Sequence, residues 1–148
     1  MGQPGTGWAD QAVRRLRAGG YRNGGARRAV VELLGRQACC LSAQEIFDAL
    51  RAEERPVGLA SVYRVLELLS DEGLVQRIEL GAGTARFEPV LPSGDHHHHL
   101  VCADCGKVEA FEDPELERAL RRAEGRSGYA VAGHDVVLRG ACGDCRNG

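Results

Sequence analysis

The chain has 148 residues, of which 27% are charged and 43% hydrophobic, as is typical of a globular protein with one or two small domains. No apolar run approaches the ~20 residues that cross a bilayer, and no secretory signal is recognisable, so we expect a cytoplasmic protein without a membrane partner. The net charge of −2 hides an asymmetry. Residues 1–40 hold seven arginines against two acidic residues, whereas 84–148 hold eight basic and eleven acidic residues. This contrast indicates that the N-terminal and C-terminal parts of the chain have different roles. The alternative is that the arginines form a solvated helix face.

The first part of the chain shows helical and then strand periodicity. Apolar residues recur at helical spacing in four segments, and the third begins with a capping box formed by Ser42 and Glu45. The predicted helices cover 8–18, 26–37, 42–54 and 60–72. Two alternating segments around a glycine-containing turn then predict strands over 74–80 and 84–90. Helices followed by a hairpin predict a winged helix-turn-helix domain over residues 1–90.

Residues 96–148 predict a smaller unit after a hinge linker over 91–95. Its predicted strands cover 99–102, 107–111 and most of 129–142, and its predicted helix covers 114–125. The fold class is therefore α+β, with an N-terminal winged helix-turn-helix domain and a small C-terminal α/β domain.

Four of the six cysteines form two Cys-x-x-Cys pairs, Cys102/Cys105 and Cys142/Cys145. Two intervening residues let both thiolates of a pair face one ion, and a tetrahedral shell of four sulfurs is typical of structural zinc. Disulfide frameworks are rare in the cytoplasm. The spacing therefore predicts a structural Zn²⁺ site, and a redox pair or unrelated buried thiols are the alternatives.

Four consecutive histidines at 96–99 come just before the first cysteine pair. Side chains alternate between the two faces of a strand, so the 97/99 pair should face one way and the 96/98 pair the other. Two ions, one on each face, are easier to bind in this arrangement than a single ion. Glu117 and His134 suit the 96/98 side, and Glu88 suits the 97/99 side. A solvated polar edge is the alternative.

Several motifs occur together in a fixed order. They are GYRNGGARR (20–28), SAQEIFDAL (42–50), SVYRVLELL (61–69), RFE (86–88), HHHHLVCADCGKVEAF (96–111) and GACGDC (140–145). In this order they resemble the ferric uptake regulator (Fur) family, and the resemblance runs from about residue 8 to 146. It implies a homodimeric, metal-responsive winged-helix repressor whose C-terminal domain, 96–148, carries the dimer interface and metal sites.

The resemblance also implies three sets of metal ligands. The structural zinc site would consist of Cys102, Cys105, Cys142 and Cys145. The hinge sensing site would consist of Glu88, His97, His99 and Cys40. The site in the dimerisation domain would consist of His96, His98, Glu117 and His134.

Cys40 stands where the family often has a histidine ligand. A thiolate ligand shifts the preference from iron towards zinc, so we expect Zn²⁺ or Fe²⁺ as the regulatory metal and favour a zinc-sensing member. The alternative is that Cys39 and Cys40 are packing thiols, which are common in protein interiors.

The helix over 60–72 is expected to lie in the major groove of double-stranded promoter DNA. Tyr63 would pack on a thymine methyl, Arg64 would bind guanine or a phosphate, and Ser61 lies near the helix start, where amides attract phosphate. The DNA backbone or minor groove would be met by Arg17, Arg22 and Arg27. The alternative for Tyr63 is a structural tyrosine that covers apolar surface.

Together these expectations describe a metal-dependent repressor, not an enzyme, that binds palindromic promoter DNA as a homodimer and controls metal homeostasis genes. One alternative is a zinc-binding redox or peroxide-sensing regulator. Another is a zinc hydrolase built on Glu88, His97 and His99, which would need an open coordination position and a general base. The sequence has no HExxH-type motif, and we expect no small organic substrate.

Overall fold

The computed structural model describes residues 6–22, 24–37, 39–81, 83–91 and 97–148. The chain divides into two compact units, Met1–Asp95 and His96–Gly148. The predicted linker 91–95 falls at this division, and residues 92–95 lie outside the described part. No helix in the described ranges is both long and apolar enough to span a membrane.

Four helices build the first unit: α1 (Thr6–Ala18), α2 (Gly25–Arg36), α3 (Ala43–Ala52) and α4 (Leu59–Asp71). Each turns an apolar stripe inwards, as the helical spacing predicts. The fully buried side chains of this core include Leu16, Val30, Leu33, Leu34, Ile46, Leu50, Val62, Leu66 and Leu69. Helix α1 is also fixed by hydrogen bonds to the turn between α4 and the next strand, because Trp8 Nε1 donates to Leu74 O at 3.1 Å and Arg15 donates to Glu72 O at 2.9 Å.

The predicted capping box is present at the start of α3. The Ser42 hydroxyl accepts a hydrogen bond from the Glu45 amide, and the Glu45 carboxylate accepts one from the Ser42 amide. Arg86 on the neighbouring strand also bonds Glu45, at 2.6 Å. The box therefore satisfies two amides and ties the helix start to the sheet.

The sheet of the first unit has the strand order β1-β3-β2 and is antiparallel throughout. Its strands are β1 (Leu41–Ser42), β2 (Val75–Glu79) and β3 (Ala85–Pro89). The pair β2–β3 is the predicted hairpin. The sequence did not predict β1, because two residues are too short to show alternation. In the register of this sheet, Leu41 lies opposite Phe87, and Gln76 lies opposite Glu88.

The second unit has the elements β4 (His98–Cys102), β5 (Val108–Phe111), α5 (Pro114–Ser127), β6 (Val137–Gly140) and α6 (Gly143–Asn147). Its sheet order is β5-β4-β6, with β4 antiparallel to β5 and parallel to β6. The predicted long strand over 129–142 was wrong, since only 137–140 is strand. A parallel partner requires a crossover, and α5 with residues 129–136 provides it.

The second unit has little core of its own. Among residues 97–148, only the side chains of His98, His99 and Cys102 are buried, and α5 buries none of its residues. Leu100 and Leu138 are paired in the sheet register but remain exposed. Such a unit leaves apolar surface that another surface could cover.

Candidate metal centres and nucleic-acid interface

The structure brings the four paired cysteines of the second unit together. Cys102 ends β4 and Cys105 lies in the turn that follows it, whereas Cys142 caps the start of α6 and Cys145 lies within that helix. Their four Sγ atoms all lie within 4.8 Å of one another. Gly106 has a φ of 79°, in the left-handed region that favours glycine, and this allows the tight turn after Cys105.

Hydrogen bonds prepare one of these thiols to ionise. Bonds from the backbone at Cys105 and then at Cys142 lower the pKa of Cys102 to about 6, although burial raises it. The amide of Cys142 lies 3.3 Å from the Cys102 sulfur. By contrast, hydrogen bonds with Cys142 and Cys105 raise the pKa of Cys145 to about 12. Four thiolates need a cation to offset their repulsion, and this donor set fits Zn²⁺.

The histidines at 97–99 alternate as a strand requires. The rings of His97 and His99 lie edge to face with centroids 5.2 Å apart. His98 instead turns towards α5, where its Nε2 bonds the Glu117 carboxylate, and its Nδ1 accepts the Val136 amide at 3.3 Å. The fourth predicted ligand of the run, His96, lies outside the described residues.

Glu117 bonds a second histidine from the crossover before β6. Its Oε2 lies 3.0 Å from Nε2 of His134, and the donor atoms of His98, Glu117 and His134 lie within 4.8 Å of one another. Nδ1 of His134 bonds Glu124 at 2.9 Å. Burial lowers the pKa of His134, but hydrogen bonds and charges from Glu124 and Glu117 outweigh it and raise the pKa overall.

Glu124 is a residue at this cluster that the sequence reading missed. It lies seven positions after Glu117 on α5, so both carboxylates are on the same helix face. That spacing was the available signal, but no motif marked it.

Two further predicted ligands lie in the first unit. Glu88 on β3 accepts a hydrogen bond from Gln76 at 2.6 Å. Continuing the β1–β3 register by one residue places Cys40 opposite Glu88. Cys40 is buried, and its sulfur lies 3.7 Å from that of Cys39. Its hydrogen bond with Cys39, followed by burial, raises the pKa of the Cys40 thiol well above its usual range.

The predicted DNA-reading helix presents polar groups to solvent. Tyr63 is 54% exposed, and the Arg64 guanidinium donates to the Ser61 hydroxyl at 3.0 Å. A cavity of about 420 Å³ next to α4 is lined by Ser61, Arg64, Arg22 and Arg27, among others. Arg17 is exposed in the last turn of α1 and does not line this cavity.

Residues 18–139 of the chain match the model of the ferric uptake regulator family. The chain belongs to this family. It is 42% identical over 108 residues to the ferric uptake regulation protein of Bordetella parapertussis, a match covering 73% of this chain and 76% of the relative. It is 33% identical to that of Neisseria gonorrhoeae over 135 residues, which cover 90% and 92%.

The fold also matches a solved structure of the Fur family. The ferric uptake regulator of Helicobacter pylori superposes with a TM-score of 0.78 at 27% identity, covering 93% of both chains, and that structure reveals three functional metal-binding sites. The predicted Fur resemblance and the α+β fold class are confirmed. The Fur family consists of transcription regulators rather than enzymes.

Proposed function

We propose that this Fur-family protein is a metal-dependent transcriptional repressor that binds palindromic promoter DNA as a homodimer and controls genes of metal homeostasis. The observation that carries the proposal is the combination of a winged-helix unit, with arginines around α4, and a second unit that clusters metal-binding side chains. Because a repressor must reach promoter DNA, we place this protein in the cytoplasm.

The four cysteines would hold a structural Zn²⁺. Cys102 and Cys105 lie at the end of β4 and in the turn after it, whereas Cys142 and Cys145 lie at the start of α6. A shared ion would therefore join two segments of a unit that has little core of its own. When bound, Zn²⁺ supplies a positive charge that stabilises four thiolates. The lowered pKa of Cys102 supports this role, because hydrogen bonds from the backbone favour the thiolate form that binds Zn²⁺.

A second copy of the chain would cover the apolar surface of the second unit. Leu138 is 51% exposed and its sheet neighbour Leu100 is 38% exposed. Replacing Leu138 with Lys should weaken the dimer in sedimentation equilibrium. Val90→Lys provides a matched control, because Val90 is similarly exposed but lies in the first unit. A Leu138 variant that dimerises like the parent would place the interface elsewhere.

In the first unit, helix α4 would enter the major groove. Tyr63 and Arg64 face solvent and can reach base edges or phosphates, while Leu66 and Leu69 on the same helix are buried and hold it in place. A bidentate contact from Arg64 to guanine contributes about 1–3 kcal/mol of discrimination. The cavity beside α4 would receive the phosphate backbone, since Arg22, Arg27 and Arg64 all line it.

The regulatory metal would be held by Glu88 and Cys40 from the first unit and by His97 and His99 from the second. Glu88 and Cys40 lie opposite each other at one end of the β1–β3 pair, which supports a shared role. These four side chains would bind the same ion only when the two units adopt one particular relative placement. Metal binding therefore selects that placement, because a ligand shifts an equilibrium only by its differential affinity.

The placement selected in this way would set the distance between the two α4 helices of a dimer. Half-sites about one helical turn apart, ~34 Å, would then be reached together. The regulatory metal is Zn²⁺ or Fe²⁺. Coordination by a Cys40 thiolate would favour Zn²⁺, but the raised pKa of this thiol opposes its ionisation. The relatives are ferric uptake regulation proteins, which favours Fe²⁺.

The third set of ligands, His96, His98, Glu117 and His134, would form a further metal site in the dimerisation domain. The donor atoms of the three described members already converge, and imidazole with carboxylate suits Zn²⁺ or Fe²⁺. The site would join β4, α5 and the crossover before β6, and so would stabilise the unit that dimerises.

Selection of bound duplexes from a random DNA library tests the proposal without a known operator. The full-length protein is incubated with the library in chelator, Zn²⁺, Fe²⁺ or Mn²⁺, and the recovered sequences are compared. We expect an inverted repeat to be enriched with the regulatory metal and lost in chelator. Enrichment that is equal with and without metal, or absent with every metal, would overturn the proposal.

A further inference from the structure

The His134 ring is held between two carboxylates of the same helix. Glu117 Oε2 lies 3.0 Å from Nε2, and Glu124 Oε1 lies 2.9 Å from Nδ1. The seven-residue spacing of the two glutamates equals two helical turns, so α5 itself sets the distance between them. The exposed fractions of the side chains are 19% for His134, 22% for Glu117 and 30% for Glu124, so solvent competes only partly with these bonds.

The two carboxylates have different surroundings. Glu117 also bonds Nε2 of His98, so it lies at the centre of the converging donor atoms. Glu124 approaches the other nitrogen of His134, and the lone-pair directions of the two ring nitrogens diverge. The Glu124 carboxylate is therefore directed at Nδ1, while Nε2 faces Glu117 and His98.

Imidazole chemistry gives this difference a consequence. A neutral imidazole carries one N–H, and an ionised carboxylate only accepts hydrogen bonds. If Nδ1–H donates to Glu124, the lone pair remains on Nε2, on the side of Glu117 and His98. Histidines that bind metals commonly donate their other N–H to a carboxylate, which fixes the ring orientation and increases the basicity of the ligand.

We propose that Glu124 is a positioning residue for metal binding by His134, accepting Nδ1–H so that Nε2 binds a divalent cation together with His98 and Glu117. The inference rests on the proposed metal site in the dimerisation domain. Glu124 adds a negative charge beside that of Glu117, so two carboxylates offset the two charges of the cation. Glu124 thus connects the C-terminal part of α5 to the metal site, whereas the sequence motifs place only Glu117, near the start of the helix, at this site.

The test compares Glu124→Ala, Glu124→Gln and a control, Glu115→Ala, in the full-length protein. Glu115 lies on the same helix, but its side chain is 88% exposed. Zn²⁺ affinity is measured by chelator competition after the four-cysteine site is filled. We expect Glu124→Ala to weaken Zn²⁺ binding about 10- to 100-fold. Glu124→Gln, whose amide oxygen still accepts the N–H, should weaken it less, and Glu115→Ala should match the parent.

A second measurement separates positioning from a general structural role. In ¹⁵N-resolved histidine spectra of the Zn²⁺-loaded parent, the His134 Nδ1–H proton should be protected from exchange with water. This protection should be lost in Glu124→Ala and regained in Glu124→Gln. Unchanged affinity and unchanged protection in Glu124→Ala would overturn the role of Glu124.

His134→Ala distinguishes the two possible failures. If this variant loses one Zn²⁺ site and Glu124→Ala binds as the parent does, the metal site stands and the positioning role is wrong. If His134→Ala retains the stoichiometry and affinity of the parent, the metal site itself is wrong, and the positioning role fails with it.

Discussion

Replacing Tyr63 with Ala tests whether the exposed face of α4 binds DNA. Tyr63 is 54% exposed. Because an aromatic side chain can bury ~150–250 Å², roughly 80–135 Å² of Tyr63 is available to a partner. At about 25 cal/mol per Å², covering this area contributes at most about 2–3 kcal/mol. Since 1.4 kcal/mol is tenfold in affinity, the upper limit is a loss of roughly 30- to 140-fold.

Fluorescence anisotropy with the selected duplex measures this loss, and urea unfolding measures stability in parallel. Tyr63→Ala should bind at least about tenfold more weakly, and its stability should change by only about 0.5 kcal/mol, as for most surface substitutions. Leu66→Ala is the matched control from the buried face of the same helix. It should cost about 2–5 kcal/mol of stability while the folded fraction binds DNA normally. A well-folded Tyr63→Ala protein with parental affinity would refute the assignment of α4 as the reading helix.

Three further perturbations test the metal sites and the ion pairs of the first unit. Cys102→Ser should abolish the structural zinc and the dimer in metal analysis and sedimentation, and a zinc-free variant that remains a folded dimer would contradict the structural role. The double variant His97→Ala/His99→Ala should remain a folded dimer that binds DNA weakly, with an affinity that does not change when metal is added. A metal response like that of the parent would mean that the regulatory ligands lie elsewhere. A hydrogen bond from Arg55 holds the pKa of Glu32 below its ordinary 4.5, so the pair stabilises the fold above that pH, and the contribution is lost as pH falls through the lowered pKa. Glu32→Gln should therefore lower the free energy of unfolding by less than ~1 kcal/mol at neutral pH, because the pair is partly exposed. At a pH below both the ordinary and the lowered pKa of Glu32, it should cost nothing. Urea unfolding at the two pH values measures the difference, and an equal cost at both would disprove the linkage.

The helices were predictable because their signals are local. In α3, the Ser42–Glu45 capping box and the apolar positions Ile46 and Leu50 lie within one continuous segment, so start and buried face follow from the sequence. The strands depend on partners that are distant in sequence. Residues 129–136 were predicted as part of a long strand, but they form the crossover that makes β6 parallel to β4.

The candidate metal sites divide in the same way. Cys102 and Cys105 were predictable because their spacing alone allows both thiols to face one ion. The approach of His98 to Glu117 followed from strand alternation together with the family resemblance. No motif marks Glu124, and its spacing from Glu117 shows only that both lie on one helix face, so its contact with His134 is what reveals its role.

Strand β4 joins the candidate metal sites more closely than their separate ligand sets suggest. Within five residues it provides His98, His99 and Cys102, each assigned to a different site. A slip of β4 by one residue would exchange its two faces, so that His99 would meet Glu117 and Cys102 would turn away from the other sulfurs. Filling any one site therefore locks the strand register on which the others depend, and by reciprocity each filled site makes the remaining ones easier to fill.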